Sequence, residues 1–421
     1  MKINIFWLIS IQYFFVTNVF CGSVIYLSEP VTVSTFVGSG FYGYMDGVGE
    51  KTMFQPNFDP SDLERSLLCI TIKSDGTIFM IDGSGVQGRL RKIIQDGTVS
   101  TVADFTKIPY IGSMADSGKD YLFIFNSSKD SIFKLFESNI STQVHKNGMQ
   151  SPIAKVLGGF ARAMCVDSNG NIYLTSYSEN RIYRISNDGV CEFYAGSGNQ
   201  GLVDGNGLFC SFFRPSHIVC DQFDNIYVND SGNQCIRKID KNRNVTLFSG
   251  KNSSGNDFDG DKNVASIGKI KGLACDKIGN LYFSSGNSIR VITTSGFVKT
   301  VAGNYNNVGY NNGTSEQSLF NNPKDLVCFG SNVFVYDNQR IRKITIGESL
   351  VKKPFDNINI KLSAGITING TVGKKYNIES SSNGGKQWNA LTELELSKTP
   401  YTWYDENSVG TNNLYRVFET P

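Results

Sequence analysis

A unit of two short alternating stretches around a polar turn recurs through most of this 421-residue chain. It is clearest as NIYLTSYSENRIYRI (171–185) and returns as NIYVNDSGNQCIRKI (225–239), NLYFSSGNSIRVI (280–292) and NVFVYDNQRIRKI (332–344). Weaker copies are TIFMIDGSGVQGRLRKI (77–93) and YLFIFNSSKDSIFKL (121–135), so six copies begin 44 to 55 residues apart. A repeat of this period is typical of propeller blades or of a solenoid.

The residues around each copy favour the propeller. An apolar run precedes the pair of stretches and a fourth stretch that ends in small residues follows it, which predicts four strands per unit. The last unit stops after its third strand, while an unmatched fourth strand, VSTFVGSG (33–40), stands near the other end of the chain. We therefore predict an all-β, six-bladed β-propeller over residues 31–347, in which residues 33–37 complete the last blade and hide its edge.

The order of motifs in the best copies also resembles a known family. The fourth strand ends in Ala-Gly or Ser-Gly, a loop with Gly and Asp-Gly follows, then Phe and Pro, then Asp-x-x-Gly-Asn-Ile-Tyr and Asn-x-Ile-Arg-Lys-Ile. This order resembles the NHL-repeat propellers of exported bacterial proteins. The resemblance implies a binding scaffold, although related six-bladed lactonases hold a divalent cation in the channel with Glu, Asn and Asp from the inner-strand starts.

The two ends of the chain differ from the repeats. Lys2 precedes an apolar run and then Cys-Gly-Ser, which predicts a secretory signal peptide over 1–23, with an uncleaved membrane anchor as the alternative. We therefore expect a secreted or cell-envelope protein. Residues 348–357 read as a linker, and 358–421 alternate again, which predicts a small C-terminal β-sandwich.

Composition excludes several functions. Lys plus Arg number 40 and Asp plus Glu 38, so no charge excess points to nucleic acid or an anionic membrane. We also expect a monomer.

With two histidines, a three-His zinc centre is impossible, and we expect no cofactor. Asp257, Asp259, Asp261 and Asn263 alternate as calcium ligands do, but Gly268 stands where an EF-hand has its bidentate acid, so a solvated turn is favoured over Ca²⁺.

The chain has nine cysteines. Cys165, Cys220, Cys275 and Cys328 fall within short apolar runs, which predicts core residues rather than disulfides or metal ligands. Whether Cys191, Cys210 and Cys235 pair is left open by their spacing.

The starts of the inner strands carry the candidate ligand site. Aligning the repeats brings a mixed and net basic set of side chains to the channel: Arg162, His217, Lys271, Lys324 and Asp325. Because a ring of carboxylates is missing, this set predicts an anionic or polar ligand rather than a lactonase-type metal centre. The alternative is that these side chains are polar plugs of a solvated channel.

These observations predict binding rather than catalysis, with a protein, peptide or glycan ligand at the channel mouth or on the face of the long loops. A lactonase-like hydrolase or a lyase acting through the channel is the alternative. Phe209, Phe212 and Phe213, at the end of one long loop, are predicted to wedge between blades. The face is further defined by its loops and tyrosines: 38–66, 197–215, 251–270, 304–323, Tyr42, Tyr44, Tyr305 and Tyr310.

Overall fold

A computed structural model describes most of the propeller and five strands beyond it. The described residues are 31–55, 69–83, 88–104, 111–126, 131–136, 139–143, 161–250, 258–347, 364–368, 375–381, 389–395, 401–405 and 414–419. The predicted signal peptide and linker lie outside these ranges.

The fold is the predicted all-β propeller, with six antiparallel sheets of four or five strands. The inner strands of neighbouring blades pack against each other in sequence, and the last contacts the first, so the blades form a closed ring. The inner strands are Ile70–Ile72, Ile111–Asp116, Ala161–Val166, Pro215–Cys220, Ile270–Cys275 and Pro323–Phe329. The second strands are Ile78–Asp82, Tyr121–Asn126, Ile172–Ser176, Ile226–Asp230, Leu281–Ser285 and Asn332–Asp337. The third strands are Arg89–Ile93, Ser131–Phe136, Arg181–Ile185, Cys235–Ile239, Ser288–Ile292 and Arg340–Thr345. The outer strands of blades 1 to 5 are Thr98–Asp104, Asn139–Gln143, Cys191–Ala195, Asn244–Ser249 and Phe297–Gly303.

The outer strand of blade 6 comes from the other end of the chain. Thr32–Val37 pairs antiparallel with Arg340–Thr345, with Val33 opposite Ile344, which confirms the predicted closure. Val33 and Val37 are fully buried against blades 5, 6 and 1. The ring is therefore held shut by backbone hydrogen bonds as well as by apolar burial.

The turn after each inner strand shows why the Asp-x-x-Gly-Asn pattern recurs. In blade 3 the Asp167 carboxylate accepts the N–H groups of Asn169 at 3.0 Å and Asn171 at 2.8 Å. Gly170 adopts φ +81°, where a side chain is strained. The Asn171 amide and the Tyr173 hydroxyl donate to the second carboxylate oxygen at 2.7 and 3.1 Å, which ties the turn to the next strand.

Each long loop crosses the blade that it enters and reaches that blade's outer edge. A two-residue strand within each loop pairs with the outer strand, and this makes four of the blades five-stranded. Gly49–Lys51 and Gly207–Phe209 form short 3₁₀ turns at this edge. The two-residue strands are Gly47–Val48, Gly205–Asn206, Gly260–Asp261 and Gly313–Thr314.

A fully buried arginine from the third strand holds each of these loops. In blade 4 the Arg237 guanidinium donates to the carbonyls of Val203 and Ser211, to the Asp204 carboxylate at 2.6 Å, and to Asp230 at 3.3 Å. Asp230 in turn accepts the backbone N–H of Phe213 at 2.7 Å. We call this arrangement the arginine staple. It recurs on Arg91 and Arg342, with Asp46 and Asn312 in the place of Asp204 and with Asp82 and Asp337 in the place of Asp230. Arg290 binds Asp259 and two loop carbonyls in the same way, but Ser285 stands in the place of Asp230.

The three phenylalanines at the end of the blade 4 loop differ in how deeply they are buried. Phe212 is fully buried among residues of blades 3 and 4, as predicted, and lies under the Arg237 guanidinium. Phe213 is half-buried and lies over Gly232, where an added Cβ would stand 2.4 Å from its ring. The prediction was wrong for Phe209, which is 85% exposed, because the 3₁₀ turn directs it away from the blades.

No disulfide joins any two of the cysteines that the structure describes. Cys210 and Cys235, whose pairing the spacing left open, are buried in blade 4 and its loop. Cys210 donates to the Gly207 carbonyl at 3.1 Å.

Contacts divide the chain into two compact units at Lys353. In the second unit, Ala364–Ile368 pairs with Tyr401–Asp405 in one sheet, and Lys375–Ser381 lies between Asn389–Glu395 and Leu414–Glu419 in another. The assembly of these two antiparallel sheets into a β-sandwich stays a prediction.

We expect Arg237→Leu to lower the free energy of unfolding by about 3–5 kcal/mol, because the substitution leaves the Asp230 carboxylate buried without its cation. Asp204→Asn is the matched control. Asp204 is half exposed, so its loss should cost about 1 kcal/mol or less. Urea unfolding followed by circular dichroism measures both, and equal costs for the two variants would contradict the staple.

Candidate functional site

The predicted site residues lie where the inner strands begin. Each of these strands has an irregular register near its start, between Ala161 and Met164, Pro215 and His217, Ile270 and Gly272, and Pro323 and Leu326. A bulge leaves a residue outside the ladder and re-aims its side chain. The bulges leave Arg162, Lys271, Lys324 and Asp325 outside the ladder, whereas His217 stays paired with Asn229 directly after the bulged Ser216. All five candidates lie among the first three residues of their inner strands. We call this set the channel mouth: Arg162, His217, Lys271, Lys324 and Asp325.

Arg162 and His217, on blades 3 and 4, are close enough to interact. Burial and, secondly, the Arg162 guanidinium lower the pKa of His217 to about 4, so the imidazole is neutral at pH 7. The hydroxyl of Ser216 lies 3.2 Å from its Nδ1 atom. His217 is therefore a neutral hydrogen-bonding group beside a permanent cation.

An aromatic ring that the sequence did not single out joins this pair. The Arg162 guanidinium lies 4.2 Å from the centroid of the Tyr177 ring, and the guanidinium of Arg214 lies 5.5 Å from the same ring. Arg214 is exposed and adopts φ +55°, with its N–H donated to the Asn180 side chain at 2.8 Å. Stacking on Tyr177 fixes the direction of two cations at the mouth.

Lys271 and Lys324, on blades 5 and 6, form the second cationic pair. Lys271 Nζ donates to the Asn322 side chain at 2.7 Å and to the Gly286 carbonyl at 3.3 Å. Burial lowers the pKa of both lysines, and for Lys324 the charge of Lys271 is the second cause. The two strands can approach this closely because residue 272 is glycine; an added Cβ would lie 2.2 Å from the Lys324 carbonyl.

Asp325 is the acidic residue of the set, and its partners are backbone N–H donors. Its carboxylate accepts the N–H of Ile70 in blade 1 at 3.1 Å and that of Leu326 at 3.0 Å. Some of its surface is accessible, but protein atoms surround it, and this burial raises its pKa to about 7. Asp325 thus helps to join the last blade to the first, and among the candidates it is the residue best explained by the fold.

A second group of polar residues was missed because the strands that carry them read as apolar. Thr175, Asn229 and Ser284 occupy equivalent places in the second strands and donate to backbone carbonyls of the next blade. Their acceptors are Ser216 at 3.1 Å, Ile270 at 3.0 Å and Lys324 at 2.7 Å. These bonds satisfy carbonyls freed by the bulges, so they hold the backbone of the mouth in place. Single polar residues in NIYLTS, NIYVND and NLYFSS were the available signal.

The remaining sequence candidates mainly support the loops. Arg89 and Arg340 stack on Tyr44 and Tyr310 at 4.1 and 4.3 Å, and Tyr305 covers Gly286. Tyr42 is 56% exposed. These contacts leave Tyr42 as the tyrosine of the predicted set most available to a ligand.

The aspartates of the 257–263 segment also have structural partners. Asp259 binds Arg290 at 2.9 Å and the Thr300 N–H at 2.8 Å, and Asp261 accepts from Asn263. Asp257 lies outside the described residues. Within the part of the chain that the structure describes, no three His, Cys, Asp or Glu side chains are grouped as metal ligands would be.

Comparison with known proteins supports the fold but identifies no function. No family model and no curated protein matches this sequence. A protein of unknown function from Bacteroides thetaiotaomicron is similar in structure, with a TM-score of 0.59 and 20% identity. Auxiliary nutrient binding proteins from B. thetaiotaomicron and B. ovatus give TM-scores of 0.55 and 0.54 at 18% and 17% identity. In each case 75% of this chain and 76% of the other are covered. At such identities the likeness shows the propeller fold alone.

Across the described residues, no helix has the length and apolar character that a bilayer crossing requires.

We expect the contribution of Asp325 to stability to fall as pH rises. Its carboxyl has a pKa of about 7 when folded against an ordinary 3.8, so the folded state holds the proton more tightly between these values. The stabilisation is complete below about pH 4 and is lost by about pH 7. Urea unfolding of wild type and Asp325→Asn at pH 4.5 and 7.5 should therefore show wild type losing stability relative to the variant. An unchanged difference between the two proteins would contradict the assignment.

Proposed function

We propose that this protein is an extracytoplasmic NHL-type binding propeller that takes an acidic glycan at the channel mouth. The observation that carries the proposal is the charge of the described residues there. Arg162, Arg214, Lys271 and Lys324 supply four cations, whereas the carboxylate of Asp325 accepts two N–H groups and joins blade 6 to blade 1.

The chemistry of the cations suits a carboxylate ligand. Guanidinium groups present planar pairs of donors that match a carboxylate, and ammonium groups add compact charge. Partial burial of Arg162, Lys271 and Lys324 reduces competition from water and salt, so their contacts are stronger than on an open surface. Neutral His217 and the ring of Tyr177 add a hydrogen-bonding group and an apolar face, both of which suit a sugar ring.

Two further observations support a glycan over a protein or peptide. Two of the similar structures are described as auxiliary nutrient binding proteins. The mouth is also built from bulged strand starts and from loops that buried arginines hold in place, which favours a preformed site for a compact ligand.

Isothermal titration calorimetry with a uronic acid oligosaccharide and its neutral counterpart of equal length tests this function. We expect the acidic oligosaccharide alone to bind, with an affinity that falls as salt rises. In Lys271→Gln/Lys324→Gln the affinity should fall by about tenfold or more, roughly 1.4 kcal/mol. Lys277→Gln, in a turn at the opposite end of the blade, is the matched control and should bind as wild type does.

Two other outcomes would change the proposed ligand or the proposed activity. Binding of an acidic peptide but of no oligosaccharide would replace the glycan by a protein partner. Hydrolysis of a lactone or aryl ester with a stoichiometric bound cation, abolished by a chelator, would favour the alternative of a lactonase-like enzyme.

A further inference from the structure

Two cysteines meet across the contact between blades 3 and 4, directly below the channel mouth. The Sγ atoms of Cys165 and Cys220 lie 2.9 Å apart, closer than two sulfur atoms that share no bond normally approach. Cys165 follows Arg162 by three residues on its inner strand, and Cys220 follows His217 by three on the next. We propose that these two thiols form a disulfide that joins the two blades carrying the Arg162 side of the site.

The surrounding structure supports a bond between these two sulfur atoms. The inner strands of blades 3 and 4 pack directly on each other, and both cysteines belong to the apolar cluster between these blades. A disulfide has an S–S separation of about 2.05 Å, so the sulfur atoms need to approach by about 0.9 Å.

The neighbouring cysteines show that the contact is specific to this pair of strands. Cys275 occupies in blade 5 the repeat position of Cys220, but its sulfur contacts the Asp276 carbonyl at 3.4 Å. In blade 1, Cys69 contacts the backbone of Met114. Among the described cysteines, Cys165 and Cys220 are the two whose sulfur atoms lie within hydrogen-bonding distance of each other.

The oxidation exchanges two electrons with a second disulfide. The two protein thiols lose their protons and two electrons, one S–S bond forms, and the disulfide of a thiol–disulfide oxidoreductase or of glutathione is reduced to two thiols. Such oxidants act in extracytoplasmic compartments, so this inference depends on the export that the proposed function includes.

The environment of the sulfur atoms indicates when the disulfide forms. The contact with Cys165 and, secondly, burial raise the pKa of Cys220 well above that of an ordinary thiol, which disfavours the reactive thiolate. The bond is therefore made during folding, before blades 3 and 4 close, and exchanges slowly afterwards. It then fixes the register of the strands beneath Arg162 and His217.

Peptide mapping identifies the bond directly. Protein refolded with a glutathione redox buffer is blocked with N-ethylmaleimide and digested with chymotrypsin, which cleaves after Phe213 and Phe223 and so isolates Cys220 from Cys210 and Cys235. We expect one cross-linked pair of peptides containing Cys165 and Cys220. Two alkylated thiols at these positions in folded protein, or a bond from either cysteine to another, would overturn the proposal.

A redox-dependent melting temperature separates the bond from ordinary packing. Reduction of wild type should lower the Tm by roughly 5 °C or more, because the cross-link closes a long loop. In Cys220→Ala this sensitivity should vanish, whatever the cavity itself costs, whereas Cys275→Ala should keep it. Equal sensitivity of wild type and Cys220→Ala would overturn the proposal. Glycan binding is measured independently, so a failure here is distinguishable from failure of the proposed function.

Discussion

A buried arginine in the third strand is the interaction on which the loops of this propeller depend. Arg237 has no exposed surface, and removing a guanidinium from water costs several kcal/mol. Backbone carbonyls and two carboxylates around it offset that cost, and these acceptors come from two segments: the loop, including its Asp-Gly turn, and the second strand. A single side chain therefore determines the path of a loop that would otherwise be solvated.

The staple also explains the difference between the blades. Blades 1, 4, 5 and 6 have the arginine and a long loop with Asp-Gly or Asn-Gly, whereas the equivalent third-strand residues in blades 2 and 3 are Phe133 and Tyr183. Asp259 shows how far the arrangement reaches, because it binds both Arg290 and the outer strand at Thr300. The loop is thus attached along the full width of its blade, and the inner-strand start next to it is fixed in turn. The bulges of the channel mouth lie on this fixed frame.

The repeat predicted the fold because its strands, turns and closing segment each have a local sequence pattern. Residues 33–37 were placed in blade 6 from the missing fourth strand alone, and the pairing of Val33 with Ile344 confirms this. The staple was not predicted, although its parts were visible: Asp259 belongs to the segment that was read as a solvated turn, and only the joint occurrence of a third-strand arginine and an Asp-Gly or Asn-Gly loop connects the two. Phe209 was misplaced because the short 3₁₀ turn before Cys210 reverses which residues face the blades. At the mouth, alignment of the repeats found the cations, but Arg214 and Tyr177 lie in connecting segments whose approach to Arg162 depends on tertiary packing.

Hydrogen–deuterium exchange across residues 196–214 is the most direct measurement of the central claim, that staples turn these Gly-rich loops into fixed parts of the blades. The amides of Gly207, Ser211 and Phe213 donate to Arg243, Val203 and Asp230. If the staple holds the loop, these amides exchange as slowly as those of the blade strands, and in Arg237→Leu they exchange quickly while the strands of blades 1 and 6 do not change. Fast exchange of the loop in wild type, at the rate of an unfolded segment, would contradict the account.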